Sequence, residues 1–456
     1  MPEISESTYL DGNVTQDTYY IETYGCQMNE HDSEKMSRML EQMGFRPVSE
    51  AEQADVVIIN TCSIREKAEH KVYSALGTLK SLKTKNPAMV TVVSGCVAQQ
   101  ERGRLLKKVQ HLDAVVGTHR IADLPEIVER IRASRCRIER TEFSPDVKSL
   151  HLPGSVKNPA AVCSYVTIMQ GCSNFCSYCV VPFTRGPEQS RPAAEIVKEV
   201  ENLVEKGVRE VTLLGQNVNA YGKDLNGRGT AHFASLLEKL DAIPRLQRIR
   251  FTTSHPRDFH EDLARAMSEL KSVCEHIHLP LQTGSDRVLT AMKRGYTREQ
   301  YFDKIRLLRT WIPDVAVTAD IIVGFPGETE EDFELTMSAL EQIRFDQIFS
   351  FKYSPRPGTL ARTLPDQVPQ NVKVENLARV HALQDAITQE YHRKAEGTVE
   401  EILVEGRRES GQWYGRTRRN KVANLESSHD LHAGDLVRVQ IVRGLKHSLL
   451  AKEIDA

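Results

Sequence analysis

Three cysteines fall within eight residues, Cys172-Ser-Asn-Phe-Cys176-Ser-Tyr-Cys179, directly after the apolar run Tyr165 to Met169. Three thiols this close in one loop converge on a metal centre. Structural zinc takes four protein ligands, and no fourth Cys or His lies nearby. An iron–sulfur cluster also ordinarily takes four thiolates, so three leave one iron open to a ligand that is not protein. That open position is the informative feature, with a zinc site as the simple alternative.

The other cysteines are Cys26, Cys62, Cys96, Cys136, Cys163 and Cys274, making an odd total of nine. The start, Met1 to Asn13, has no apolar core of an export signal, and no stretch approaches the ~20 apolar residues of a membrane helix. A soluble cytoplasmic protein is expected, in which thiols bind metal or stay free rather than pair. A chain of 456 residues implies roughly two to four domains. Its net charge of -2 excludes a uniformly basic nucleic-acid binder and leaves room for a local basic face.

The elements that position the first cysteines repeat. Strands are predicted at Tyr19 to Tyr24, Asp55 to Asn60 and Met89 to Ser94, running into Gly25-Cys26, Thr61-Cys62 and Gly95-Cys96. Helical spacing follows each, over Ser33 to Met43, about Arg65 to Leu82 and about Gln99 to Val109. A fourth strand, Ala114 to Val116, precedes a helix around Leu124 to Ala133. Alternating strand and helix predicts a parallel α/β sheet, with ligands beyond the carboxyl ends of its strands. Cys26, Cys62 and Cys96, separated by 36 and 34 residues, then stand on one crest as a second set of three ligands. Helix N-termini on that crest aim positive dipole ends at a thiolate cluster. The plainer alternative is that each cysteine packs as a small hydrophobe.

Tyr24-Gly-Cys-Gln-Met-Asn-Glu30, Asn60-Thr-Cys-Ser-Ile-Arg-Glu66 and Gly95-Cys-Val-Ala98, followed by the Cys172–Cys179 triad, resemble the methylthiotransferase family of radical S-adenosylmethionine (SAM) enzymes. The resemblance runs from about Tyr19 to Lys452. It implies two 4Fe-4S clusters, one on Cys172, Cys176 and Cys179 that binds SAM and one auxiliary cluster on Cys26, Cys62 and Cys96. It further implies two SAM per turnover, one cleaved to a 5'-deoxyadenosyl radical that removes the C2 hydrogen of an adenosine, the other methylating sulfur of the auxiliary cluster. An electron donor is required. Gln27-Met-Asn-Glu30 and Ser63-Ile-Arg-Glu-Lys67 resemble the branch acting on N6-isopentenyladenosine at position 37, in the anticodon stem-loop of tRNA. Sister branches act on threonylcarbamoyl-adenosine 37 or on a ribosomal-protein aspartate. A non-enzymatic iron–sulfur RNA-binding protein is the rival from another class, and four protein ligands would be expected of it.

Cys136 to Pro159 lacks periodicity and reads as a linker. Six strands follow, Tyr165 to Met169, Glu210 to Leu214, Arg248 to Thr252, Glu275 to Leu279, Ala316 to Val323 and Gln347 to Tyr353. Helical stretches between them include Ala193 to Lys206, Ala231 to Leu240 and Arg298 to Trp311. The count predicts an open partial (β/α)6 barrel with the cluster loop at its carboxyl rim. By resemblance, three further rim segments line the SAM pocket, carrying Gln216 and Asn217, Gln282 and Ser285, and Gly324, Pro326 and Gly327. The first lacks the Gly-Gly-Glu usual there, and Ser285 is equally a helix cap. Asp320, in an apolar strand, needs a partner, either substrate or a neighbouring Arg. Cys136, Cys163 and Cys274 read as free thiols. No catalytic side chain beyond the clusters is assigned.

Gln370 to Lys394 is a long helical pattern, and short strands follow at Glu401 to Val404, Trp413 to Thr417, Val422 to Leu425, Leu436 to Ile441 and Ser448 to Lys452. They predict a small antiparallel β-barrel, similar to the TRAM module of tRNA-modifying enzymes. Arg407, Arg408, Arg416, Arg418, Arg419 and Lys421, with Trp413 among them, suit phosphate attraction and base stacking, or else form a solvated hairpin. The expected division is 17–135 for the methylthiotransferase domain, 136–157 linker, 158–390 radical SAM core and 391–455 RNA-binding barrel, in a monomer.

Overall fold

The computed structural model describes residues 16–63, 66–154, 161–225, 233–427 and 429–454. Met1–Asn13, Ile64, Arg65, Pro159 and Ala231 of the sequence reading lie outside the described residues. The amino-terminal unit is a six-stranded parallel sheet of β1 (Thr18–Tyr24), β2 (Arg46–Pro47), β3 (Val56–Thr61), β4 (Val90–Gly95), β5 (Ala114–Val116) and β6 (Ile138–Arg140). The order is β2-β1-β3-β4-β5-β6. β3 and β4 are buried throughout, as their unbroken β-branched runs require of strands covered on both faces. One face packs Val56, Ile58, Val90 and Val92 under Met36 and Leu40, the other Val57, Ile59 and Val93 under Leu76 and Leu79. The four expected strands are present within one residue of their bounds. β2 and β6 were not foreseen, and β6 lies inside the expected linker, paired in parallel with β5. Both are too short to show a period of two.

The central unit has the six expected strands in two parallel arrays. Cys163–Thr167, Glu210–Leu214 and Arg248–Thr252 form one, and His276–His278, Ala316–Val323 and Gln347–Lys352 the other. A parallel bridge from Ile249 to Val273 joins them into an open barrel. Val166, Val211, Leu213, Ile249, Phe251, Ile277, Val317 and Ile321 belong to the core beneath the helices. The alternate positions, among them Glu210, Arg248, Arg250, His276, His278, Thr318 and Asp320, put polar groups on the inner face. The open side next to Cys163–Thr167 is covered by the helix α1 (Gln27–Gln42) of the first unit, where Thr167 Oγ1 meets Met28 Sδ at 3.5 Å.

The tail is a closed five-stranded barrel, but not wholly antiparallel as expected: Val422–Glu426 and Leu449–Glu453 pair in parallel. A ring of five strands cannot alternate direction all the way round, so one parallel seam is unavoidable. This barrel seats at the amino-terminal mouth of the central one. Arg248 donates to the carbonyls of Arg416 (2.5 Å) and Glu401 (3.1 Å), and Arg250 to those of Arg418 (2.8 Å) and Thr417 (2.9 Å). Arg418 in return binds the Glu275 carboxylate with both Nε and Nη2, and Lys421 Nζ reaches Asp346 at 3.2 Å.

Arg250 and Glu210, 2.9 Å apart, each have a side chain only 5% exposed. Glu210→Ala leaves that guanidinium without its carboxylate and should cost about 3–5 kcal/mol. Removing Arg306, on the exposed surface beside Glu299, should leave the unfolding midpoint essentially unchanged, because a fully solvated ion pair contributes little. Denaturant unfolding midpoints of the two variants check the contrast.

Candidate active site

In the amino-terminal sheet Tyr24 pairs with Thr61, and Thr61 with Gly95. The three adjacent strands therefore end level, and Cys26, Cys62 and Cys96 follow as neighbours. Between β1 and β3 the strand order reverses, which is where open parallel sheets bind ligands. A Cβ on Gly25 would stand 2.6 Å from Cys62 Cβ, and one on Gly95, at φ +87, 2.5 Å from the Thr61 carbonyl. Only glycine permits that approach of the cysteine-bearing turns. Asn29 ties the crest together: its Nδ2 donates to Thr61 O at 3.1 Å, its Oδ1 lies 3.3 Å from Cys26 Sγ, and Asn60 Nδ2 donates to its carbonyl at 2.7 Å.

Arg185, from the central unit, reaches this crest. It is 3% exposed and pairs with Asp32 of α1 at 2.7 Å. The hydrogen bond from Cys62, with the Arg185 charge, holds Cys26 below the ordinary thiol range, while burial raises Cys96 against the pull of Arg185. The carbonyls of Thr184 and Arg185 accept from Thr118 Oγ1 (2.5 Å) and His119 Nε2 (2.8 Å).

Arg185 lies six residues beyond Cys179, so the second triad is close. Fully extended, six residues reach at most about 20 Å, and here the stretch includes the helical turn Val181–Thr184. Each thiol of the second triad has an N–H donor: Asn174 Nδ2 to Cys172 (3.4 Å), Arg294 Nη1 to Cys176 (3.4 Å), and the Val181 amide to Cys179 (3.5 Å). Burial pushes Cys172 up to about 11 and Cys179 up to about 12, so a cation is needed to hold both as thiolates. The loop rests on Gly171, where a Cβ would stand 2.0 Å from Pro187 O and 2.6 Å from Gly186 O.

The donor sets fit two clusters. Both have three thiols with N–H groups at sulfur, in the first set the Met28 and Asn29 amides at Cys26 and the Arg185 guanidinium at Cys96, the usual outer bonding of cluster ligands. Among the described residues no three His, Cys, Asp or Glu gather about a single metal ion. Thiolates of a cubane bind separate irons. The rim also carries buried polar atoms without partners, Gln170 Nε2, Asn217 Oδ1, Ser254 Oγ and Gln282 Oε1, which suits a polar ligand in the barrel mouth.

The predicted rim residues divide. Gln282 (φ +72) and Asn217 keep their orphan oxygens, although Asn217 Nδ2 is bound to Asp258 at 2.8 Å. Gln216 Oε1 accepts from the Gly171 amide at 2.5 Å, which makes it a support of the cluster loop. The Ser285 hydroxyl caps the helix Asp286–Ala291 by accepting from the Val288 amide and donates to Asp332 at 2.6 Å, so the capping alternative holds and its one proton is committed. Gly324 and Gly327 (φ +72 and +78) flank buried Pro326, and a Cβ on Gly324 would strike Lys373 Cγ at 2.3 Å. Within the protein the partner of Asp320 is His278, at 3.5 Å, rather than an Arg. Arg185, Arg294 and Ser254 were missed, and Asn29 stood in the Gln27–Glu30 motif without a role. Only Arg185, a lone charge closing the run Val180-Val181-Pro182-Phe183-Thr184, left a signal in the sequence.

The tail cations divide as well. Arg418 and Lys421 reach across to Glu275 and Asp346 of the central unit and so dock the tail, whereas Arg416 and Arg419 pair inside the tail with Glu405 and Glu400 and keep more than a third of their side chains exposed. Arg407 and Arg408 stay exposed, stacked on Trp413 (5.4 Å) and Tyr414 (5.1 Å). A hollow of about 440 Å³ lies beside them, lined by Arg407, Gln412, Trp413, Ser427 and His429.

Gly171→Ala should displace the Cys172 loop and lower the iron content of anaerobically reconstituted protein from about eight toward about four per chain. A colorimetric iron assay checks it.

Residues 18–117 match an uncharacterized protein family, UPF0004, residues 166–340 the radical SAM superfamily and residues 393–453 the TRAM domain. The tRNA-2-methylthio-N(6)-dimethylallyladenosine synthase of Thermodesulfovibrio yellowstonii is 49% identical over 430 residues, 94% of this chain and 97% of its own. The enzyme of the same name from Carboxydothermus hydrogenoformans is 48% identical, covering 94% and 98%. Among solved structures, the radical SAM methyltransferase TsrM from Kitasatospora setae superposes with a TM-score of 0.57 at 16% identity, covering 76% of this chain and 77% of that one. The cobalamin-dependent enzyme OxsB gives 0.51 at 11%, covering 81% and 56%. At such identity these two share the fold. By its match to full-length relatives, this chain is a radical SAM enzyme of the tRNA-2-methylthio-N(6)-dimethylallyladenosine synthase family.

Proposed function

We propose that this chain inserts a methylthio group at C2 of N6-isopentenyladenosine 37 in the anticodon stem-loop of tRNA. The observation that carries the proposal is the junction of the two triads: Cys179 of one is tied through six residues to Arg185, whose charge acts on Cys26 and Cys96 of the other. One substrate atom can then meet both. Cys26, Cys62 and Cys96 would hold the auxiliary cluster, and Cys172, Cys176 and Cys179 the cluster that binds SAM. Bound there, the clusters and two SAM supply what side chains cannot: a radical able to break an unactivated C–H bond, and a methylated sulfur to replace the hydrogen.

The chain's own residues bind and exclude. Asn29 and Asn60 fix the crest, Gln216 holds the Gly171 turn, and the buried Asp32–Arg185 pair keeps the two units closed so that water stays out. Gln282, Asn217 and Ser254 present unpaired polar atoms to SAM. A base must leave its stack to enter. Arg407, Arg408 and Trp413 form the outlying RNA contact, by phosphate attraction and stacking. The domain divisions given above, an unidentified electron donor, a monomeric state and a cytoplasmic location complete the reading. No helix among the described residues is long and apolar enough to cross a membrane.

Cys62→Ala should abolish methylthiolation while leaving SAM cleavage measurable. Mass spectrometry of nucleosides from isopentenylated tRNA, incubated with SAM and reductant, checks both function and substrate. Turnover of threonylcarbamoyl-adenosine tRNA alone would overturn the substrate choice. Arg407→Ala with Arg408→Ala should lower the slope of log affinity against log salt by about 0.7 per lost phosphate contact. A salt titration of tRNA binding measures it.

A further inference from the structure

Arg294 follows the helix Asp286–Ala291 and is 4% exposed. Its Nε donates to the Tyr296 hydroxyl at 3.1 Å, Nη2 to Pro280 O at 3.1 Å, and Nη1 to Cys176 Sγ at 3.4 Å and the Tyr178 hydroxyl at 3.5 Å. The Tyr296 ring lies 5.3 Å from its Cζ. None of these acceptors is a carboxylate. The other four arginines exposed by 5% or less all meet carboxylates: Arg185 with Asp32, Arg191 with Glu199, Arg248 with Glu401 and Arg250 with Glu210. Among the described residues Arg294 forms no such pair.

A guanidinium keeps its charge even when buried. A buried charge without a counter-ion is costly, so such groups are found paired. The charge that would pair Arg294 therefore belongs to something its neighbours hold. A 4Fe-4S core carried by three thiolates is a net anion and gains one more negative charge on reduction, and nearby charge and hydrogen bonds to sulfur set its potential. Asn174 and the Val181 amide bring only dipoles to Cys172 and Cys179, whereas Arg294 brings a full charge to Cys176.

We propose that Arg294 is a positioning residue that serves as the built-in counter-cation of the centre on Cys172, Cys176 and Cys179. The proposal rests on reading that triad as a 4Fe-4S site. Two consequences follow from the sign of the charge. Reduction adds a negative charge beside a fixed positive one, so Arg294 favours the reduced state and raises the potential. Without the cluster the guanidinium is uncompensated, so the cluster and Arg294 stabilise the fold together more than the sum of their separate effects.

The test uses the full chain, cluster-free and anaerobically reconstituted, as wild type, Arg294→Met, Arg294→Gln and Arg294→Lys. The SAM-binding centre is identified as the reduced-state EPR signal that changes on adding SAM. Its reduction equilibrium should shift at least tenfold against reduction in Arg294→Met, which for one electron is about 59 mV more negative. Arg294→Gln keeps N–H donors and loses the charge, so it should shift likewise. Arg294→Lys should recover most of the loss. The gain in melting temperature on loading the cluster should be smaller in Met and Gln than in wild type. If Arg294 merely clamps Pro280 and Tyr296, Gln would keep the wild-type potential, and cluster-free and loaded protein would lose the same melting temperature. Either result overturns the proposal. A wild type with no SAM-responsive signal would overturn the cluster reading itself, a failure visible without any variant.

Discussion

Asp32 and Arg185 meet at 2.7 Å with side chains 3% exposed, one on the helix that follows Cys26, the other just past Cys179. Most of the molecule's chemistry depends on this contact. Two charges taken out of water gain little net stability by pairing, yet removing one partner from such a pair costs about 3–5 kcal/mol. The pair therefore acts less as glue than as a register: the two units are stable together in the arrangement that satisfies both charges. That arrangement sets the crest of a parallel sheet against the rim of an open barrel. It also covers the side of the barrel that its missing strands leave exposed.

The same logic closes the opposite end. The inner face of the barrel carries Glu210, Arg248 and Arg250 near the start of its strands, where no substrate chemistry is expected of such a fold. These charges are answered by Glu401, by Arg418 on Glu275 and by backbone carbonyls of Arg416, Thr417 and Arg418. The tail module is thus the floor of the catalytic barrel, and the RNA contact proposed for it would use the opposite end of its second strand, Trp413–Thr417.

Much of this was legible in the sequence because it is periodic. Buried runs such as Val56-Val57-Ile58-Ile59 mark strands, and a cysteine just past each marks one crest whatever the separation along the chain. What could not be read is pairing at long range. Arg294 lies 118 residues from Cys176 and Arg185 lies 153 from Asp32, and no local pattern announces either contact. The same holds for the tail cations: composition shows six positive charges but not that four of them find carboxylates. Ser285 was readable as a cap, and its bond to the carboxylate of Asp332 was not.

The stretch from Cys179 to Arg185 makes length itself a specification. It contains a helical turn, Val181–Thr184, so adding or deleting one residue would swing Arg185 by about 100° around that turn and away from Asp32. Substitutions there could be absorbed by repacking, but a change in count could not. The interval between the third cysteine and its arginine should therefore behave as a ruler, fixed in length even where the side chains between are free to vary.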